Sequence, residues 1–226
     1  INGLIGGVSV STLKNFSFIV PSTMSQQHIV SYLDSKCAKL DEYVSRQQQV
    51  IAKLQEYKQA VITEAVTKGL DPNVPMKDSG VEWIGKIPRD WCIKKFKYIA
   101  RVKSNLVMPD EYLNYPQISP ENIVKNTGKL LPCLSVDEAG VTSGNNLFHE
   151  GQIIYSKIRP NLNKVTIAPF DGLCSADMYP IDTTQNTKFL FYVMLSNCFV
   201  KQVSLVIQDR VKMPKINKEE LGEIYL

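Results

Sequence analysis

Residues 25–69 read SQQHIVSYLDSKCAKLDEYVSRQQQVIAKLQEYKQAVITEAVTKG, and this stretch decides the fold. Apolar or near-apolar side chains fall at Leu33, Cys37, Leu40, Val44, Ile51, Leu54, Val61 and Ala65. The steps alternate between three and four if polar Gln47 and Lys58 are allowed as breaks in the seam, which is the period of a helix that pairs with another helix. No Pro or Gly interrupts the run before Gly69, which suits a C-terminal cap, with Pro72 beyond it to block a restart. At the other end Pro21 stops the preceding segment, and Thr23 and Gln26 have capping-box spacing. A helix of ~45 residues rising 1.5 Å each is roughly 65 Å long, longer than most domains are wide. One apolar stripe on an otherwise polar helix needs a second helix to cover it, so the stretch reads as a spacer or pairing seam. The alternative is a long core helix of an ordinary domain.

The totals bound the rest. The 226 residues suffice for one or two domains with a real core. Lys plus Arg number 26 against 22 Asp plus Glu, a slight excess that permits nucleic-acid binding without requiring it. Cys37, Cys92, Cys133, Cys174 and Cys198 are scattered with no C-x-x-C pair, which argues against zinc. An odd number of cysteines with no secretory signal favours a reduced, cytoplasmic setting. No apolar run approaches the ~20 residues of a membrane span. The sequence opens at Ile1 rather than Met, so a piece of something longer, or numbering that starts inside a protein, is expected.

Outward from the helix, Phe16–Val20 reads as a strand stopped by Pro21, the tail end of a domain. Asp71–Pro88 is linker-like, punctuated by Pro72, Pro75, Gly80, Gly85 and Pro88, with Val81, Trp83, Ile84 and Ile87 able to pin it to a neighbour. A new domain starts at Trp91. Phe96–Val102 is a short strand or helix, and 105–120 is rich in loops. Gly151–Ser156 and Lys164–Ala168 read as paired strands around the connection 157–163. Gly172–Ile181 is another strand, Phe189–Ser204 the one clear helix, and Ile216–Leu226 strand-like. Residues 216–226 also echo residues 8–18, with apolar positions coinciding at 216/8, 221/13, 224/16 and 226/18. That suggests one unit that ends twice.

Three stretches carry a family resemblance: Pro21-Ser22-Thr23-Met24-Ser25-Gln26-Gln27-His28-Ile29-Val30; Leu54–Lys58 running through Glu64–Leu70; and Met76-Lys77-Asp78-Ser79-Gly80-Val81-Glu82-Trp83-Ile84-Gly85-Lys86-Ile87-Pro88-Arg89-Asp90-Trp91. Together they resemble the specificity subunit of type I restriction–modification systems. Ser22 stands where that family has a second Pro, and Ser25 where it has Glu. The resemblance implies an α+β fold, a globular target-recognition domain attached to a long antiparallel coiled-coil helix. It further implies that residues 1–21 end one recognition domain, 22–70 form the conserved spacer and dimerisation helix, 71–90 a linker, and 91–226 a second recognition domain. A full subunit of the family carries two such domains and two antiparallel helices, so this is about half. Each domain is then expected to read one half of a split DNA target, with the helices setting the gap and docking the modification methyltransferase subunits.

A sequence reader needs cations for phosphates and side chains that hydrogen-bond base edges; Arg and Lys suit guanine, Asn and Gln adenine. Three clusters qualify. The first is the connection carrying Ser156, Lys157, Arg159, Asn161, Asn163 and Lys164, which could equally be a solvated turn. The second is the strip Lys94, Lys95, Lys97, Arg101 and Lys103, a phosphate-positioning surface or merely a charged face. The third is Gln208, Arg210 and Lys212.

Catalytic equipment is missing from the sequence. Asn114-Tyr115-Pro116 is not the Asn/Asp-Pro-Pro-aromatic motif of an adenine methyltransferase, and neither a glycine-rich cofactor loop nor a nucleotide-binding P-loop appears. Glu56-Tyr57-Lys58 has a nuclease-like spacing without a partner acid. His28 and His149 are far apart, and Trp83 and Trp91 read as packing anchors. The expectation is therefore a non-enzymatic DNA-binding subunit without its own cofactor. S-adenosylmethionine, ATP and Mg are expected on partner subunits. Its partners would be double-stranded DNA, methyltransferase subunits, a restriction/translocase subunit and a second copy of the chain or the other half of the subunit. The rival expectation is a coiled-coil adaptor that binds protein and no DNA.

Overall fold

A computed structural model describes residues 8–226; residues 1–7 of the expected terminal segment lie outside the described residues. The chain divides into two units, residues 1–54 and 55–226, with the division inside the long helix. In the first unit a short helix, α1 (Val10–Lys14), precedes α2 (Thr23–Lys68). The strand expected over Phe16–Val20 is absent: among the described residues this segment pairs with no other strand, and it is exposed throughout. Its β-branched and aromatic residues favour a strand only where a partner supplies the ladder.

The long helix begins as expected but with a different cap. Ser22 Oγ accepts from the Ser25 amide at 3.3 Å, and Gln26 Nε2 donates to the Pro21 carbonyl at 2.8 Å. Thr23 is already helical. Adjacent hydroxyl residues cap almost equally well, so the spacing alone does not choose between them. At the far end Gly69 holds φ +79° and its amide donates to the Ala65 carbonyl, the left-handed stop the sequence predicts. The apolar stripe is bare: Leu33, Leu40, Val44, Ile51, Leu54 and Val61 are between 46% and 62% exposed. Cys37 is exposed and Ala65 half-buried.

In the second unit the last turns of α2 are seated by a neighbouring stripe. Ile62 enters the core, Gln59 Nε2 donates to the Asn126 carbonyl, and Thr63 Oγ1 accepts from the Asn197 amide. The expected linker is partly regular. The strands β1 (Met76–Asp78) and β2 (Lys86–Pro88) form an antiparallel hairpin. Its turn is held by Asp78 Oδ1, which accepts from Gly80, and by positive φ at Gly80 and Gly85. Glycine reads as a loop in sequence, yet here it makes the turns that let two short strands pair.

Two four-stranded sheets follow. One runs β3 (Ala100–Val102), β10 (Met178–Thr183), β7 (Ile153–Ser156), β8 (Val165–Ile167), all antiparallel. The other runs β4 (Leu106–Val107), β6 (Asn145–Phe148), β9 (Gly172–Cys174), β5 (Gln117–Ile118), with only β5 and β9 parallel. The β7–β8 hairpin is the one the sequence predicts. The single strand expected over 172–181 is two strands, because the chain leaves one sheet after Cys174, turns at 175–177 and enters the other. The expected single helix over 189–204 is likewise two: α3 (Thr187–Leu195) and α4 (Asn197–Val206), bent by 63°. Ser196 makes the break, donating to the Val193 carbonyl at 2.7 Å and accepting from the Phe199 amide. A hydroxyl that satisfies backbone groups locally competes with helix continuation.

Strand β7 explains how the layers stack. Ile153 and Tyr155 face α3, α4 and Ile62, while Ile154 points the other way, with Met178, towards Ile118, Phe148 and Cys174. All are fully buried, as expected for a strand covered on both faces. Tyr155 meets Phe199 edge-on, centroids 6.0 Å apart. Among the described residues no single helix is long and apolar enough to cross a membrane; α3 and α4 bury their apolar faces in this core.

The expected strand over 216–226 instead contains a short helix, α5 (Lys218–Gly222), with Asn217 and Glu220 forming a capping box. The echo with residues 8–18 extends to structure: α1 is capped by Ser9 at the same offset at which Asn217 caps α5. Burial separates the copies. Ile216, Leu221 and Ile224 are in the core, whereas Val8, Leu13, Phe16 and Phe18 are at least half exposed.

Candidate nucleic-acid interface

The connection between β7 and β8 does not stand alone. The Ile216 amide donates to the Lys157 carbonyl, Ile158 bridges Lys215, and the Arg159 amide donates to the Pro214 carbonyl at 2.8 Å. The connection 157–163 is therefore laced by backbone to residues 214–216, just past the third sequence cluster (Gln208, Arg210 and Lys212), and the two loops form one surface. Below it the turn between β9 and β10 supplies Asp177, which faces both Lys215 at 3.0 Å and Lys157 at 3.9 Å. Lys157 also donates to the Ala176 carbonyl and lies over the Tyr179 ring.

Within this surface the side chains divide by what they already hold. Ser156 is buried and donates to the Ile158 carbonyl. Asn163 is fully buried; its amide donates to the Met194 carbonyl at 3.0 Å, its own φ is +42°, and its Oδ1 is left without a partner. Lys164 reaches across to the Pro120 carbonyl at 2.6 Å. Arg210 clamps Glu220 and the Lys215 carbonyl. The Arg210 guanidinium holds the Glu220 carboxyl below its ordinary range, and Glu220 in turn raises Arg210. Arg159, Asn161, Gln208 and Lys212 are exposed, and no side-chain hydrogen bond or ion pair engages them among the described residues. Arg159 is presented by a left-handed backbone, φ +43°, just before the turn Pro160–Leu162. Met213 has the same φ on the facing loop.

The Lys94–Lys103 strip is differently occupied. Lys95 and Lys97 both grip Glu223, whose carboxyl is drawn down to about 2 by the hydrogen bond from Lys95 and then that from Lys97. Lys103 pairs with Asp182 at 3.0 Å. Burial works against the Asp182 anion, but hydrogen bonds from Gln152 and Lys103 outweigh it and lower its pKa. Lys94 and Arg101 are exposed without a side-chain partner among the described residues; the Lys94 backbone pairs with Leu226. No hydrogen bond or ion pair among those residues joins this strip directly to the loop pair. Helix α5 and its C-cap stand between, α5 giving Glu220 to one and the C-cap Glu223 serving the other.

Lys215, Asp177, Glu220 and Glu223 are absent from the sequence clusters. Lys215 lies three residues past Lys212 in the same basic run and was within reach of a longer window. The acids carry no sequence signal, because their cationic partners are up to 128 residues away. Among the described residues no three His, Cys, Asp or Glu side chains gather as a metal site.

Comparisons with known proteins bear on what this arrangement serves. No protein-family model matches the sequence. The chain is 37% identical to the type I restriction enzyme EcoDI specificity subunit of Escherichia coli, over 94% of its own length and 51% of that protein's. It thus spans about half the length of the curated relative it matches. Its fold is similar to the crystal structure of the HsdS subunit from Thermoanaerobacter tengcongensis, with a TM-score of 0.53 at 16% identity over 62% of this chain and 38% of that one. It is also similar to a chain from a structure addressing complex assembly and conformational transition of the type I R-M system. There the TM-score is 0.50 at 11% identity, over 92% of this chain and 48% of that one. Along nearly its whole length the chain is thus similar to about half of a type I restriction enzyme specificity subunit.

Proposed function

We propose that the chain is a non-catalytic, sequence-specific DNA-binding unit of a type I restriction–modification assembly and that it reads one half of a bipartite target. The observation that carries this reading is the 37% identity to a specificity subunit along 94% of the chain. The surface formed by 157–163 and 207–215 is the contact face. Arg159 and Lys212 hold phosphates, and Asn161 and Gln208 offer the donor–acceptor pairs that suit adenine edges. Lys94 and Arg101 add phosphate contacts on the strip. Lys157, Lys215 and Arg210 keep the loops in place through Asp177 and Glu220, and Ser156, Asn163 and Lys164 hold the hairpin connection.

The bare stripe on α2 supports pairing with an equivalent helix, antiparallel, in a two-fold homodimer. Two identical readers related by a two-fold axis read an inverted repeat, with a gap fixed by the helices. The helix pair also docks methyltransferase subunits, which carry S-adenosylmethionine, while ATP and Mg belong to the restriction/translocase subunit. The setting is cytoplasmic. Selection of bound duplexes from a random pool, with the chain alone and with a cognate methyltransferase subunit, tests this. An inverted repeat with a constant spacer is expected. A lone half-site would remove the homodimer and keep the reader. No enrichment in either arm would favour the coiled-coil adaptor.

A further inference from the structure

Besides Asp177 and residues 214–216, a third segment bonds by backbone to the connection 157–163. It is the loop 124–129, whose Asn126 amide donates to the Asn163 carbonyl at 3.2 Å. Side chains just past the connection tie the same parts together: Thr166 Oγ1 donates to the Gly128 carbonyl at 3.1 Å and Lys164 Nζ to the Pro120 carbonyl. From α2, Gln59 Nε2 donates to the Asn126 carbonyl at 3.1 Å.

The loop is fixed from within as well. Ile123 and Leu130 bridge at its base, and the Val124 amide donates to the Lys129 carbonyl. Thr127 Oγ1 donates to the Val124 carbonyl and accepts from the Lys129 amide. Asn126 and Gly128 turn the tip with φ of +55° and +75°. A Cβ at Gly128 would also collide with the Phe191 ring, so only glycine lets the tip lie against α3.

With its backbone spent inward, the loop holds two cations out. Lys125 opens the tip and Lys129 closes it, and both are exposed. Among the described residues no hydrogen bond or ion pair engages either ammonium, and Glu121 in the same segment pairs with neither. Like charges held across a tight turn repel, a cost that an anion beside them removes. Arg159, the unengaged cation of the contact face, starts the neighbouring turn that Asn163 ends. All three cations therefore stand on one backbone-bonded body, without acids of their own.

We infer that Lys125 and Lys129 contact the phosphate backbone of duplex DNA, which makes the loop 124–129 a further part of the contact face. This rests on the DNA-reading function proposed above. Such contacts position a reader and carry no sequence information, so a duplex of random sequence serves as the probe. The test follows affinity of the full chain across a salt series by fluorescence titration. Lys125→Gln with Lys129→Gln is expected to make the plot of log affinity against log salt shallower by about 1.8, at about 0.9 per phosphate contact. Lys125→Arg with Lys129→Arg keeps both charges and is expected to keep the parental slope. Neither ammonium holds another residue, so these exposed substitutions leave the fold in place, as thermal melting checks. A drop of less than about 0.9 with Gln, or an equal drop with Arg, overturns the loop as a phosphate contact. Arg159→Ala reports the rest of the face separately: if it still lowers the slope, the DNA-reading function stands without the loop. A parent chain with no salt-dependent affinity for duplex DNA overturns both.

Discussion

Asn163 and Arg159 flank the same turn, have nearly the same left-handed backbone and do opposite work. Asn163 turns inward, fully buried, and spends its amide on Met194; Arg159 stays outside, its guanidinium unengaged among the described residues. Asn tolerates left-handed backbone better than most residues, whereas Arg has no such excuse, so the surrounding backbone bonds to Pro214 and Leu162 impose it. A cation held out by structure is available to a polyanion at little ordering cost. The expected consequence is specific to charge. Arg159→Ala and Lys212→Ala each make the plot of log affinity against log salt shallower by about 0.9 on duplex DNA, the signature of one lost phosphate contact. Filter binding or fluorescence titration across a salt series measures it. Slopes that do not move would place the contact face elsewhere.

Exposed ion pairs join elements here beside the strand ladders. Glu223, just beyond α5, is held by Lys95 and Lys97 from the turn that leads into β3, and the Lys95 and Tyr225 backbones bridge beside it. Its carboxyl titrates at about 2, below the ~4.3 of an unperturbed Glu, so the folded state favours the anion. This stabilisation is present above pH ~4.3 and is lost as the pH falls towards 2. Because the group is exposed and salt-screened, the effect is modest. Melting curves of the parent chain and Glu223→Gln should therefore differ at pH 7 and converge as the pH falls through that window. A gap that persists at pH 2 would show that Glu223 acts by packing instead. The same element view explains the bend at Ser196: one hydroxyl ends α3 and starts α4, letting both helices lie on β7 and β8.

At the scale of the whole molecule, the proposed function makes α2 a spacer between two readers. If α2 sets the distance between two readers, inserting one heptad lengthens the rod by about 10 Å, near three base-pair steps of ~3.4 Å. Selection with such a variant should return the same half-sites with a gap wider by about three base pairs. An unchanged gap would sink the ruler. A heptad also preserves the 3–4 seam, so the pairing face stays continuous.

Much of this was legible in the chain before any fold was drawn. The length of α2, its Gly69 stop and its bare stripe follow from periodicity and local backbone chemistry, which act within a turn or two. The β7–β8 hairpin follows for the same reason, as do the stretches that carry the family resemblance. The failures have a common cause as well. Residues 172–181 look like one strand because nothing local marks a change of sheet, and 189–204 looks like one helix because Ser196 breaks it only with its neighbours in place. The cations read alike in sequence, but folding sorts them. Lys95 and Lys97 are spent on Glu223, Lys103 on Asp182, Lys157 on Asp177 and Arg210 on Glu220, leaving Lys94, Arg101, Arg159 and Lys212 unengaged among the described residues. That sorting depends on charges brought within 4 Å from distant parts of the chain, up to 128 residues apart, and Coulomb energy follows distance in space rather than in sequence.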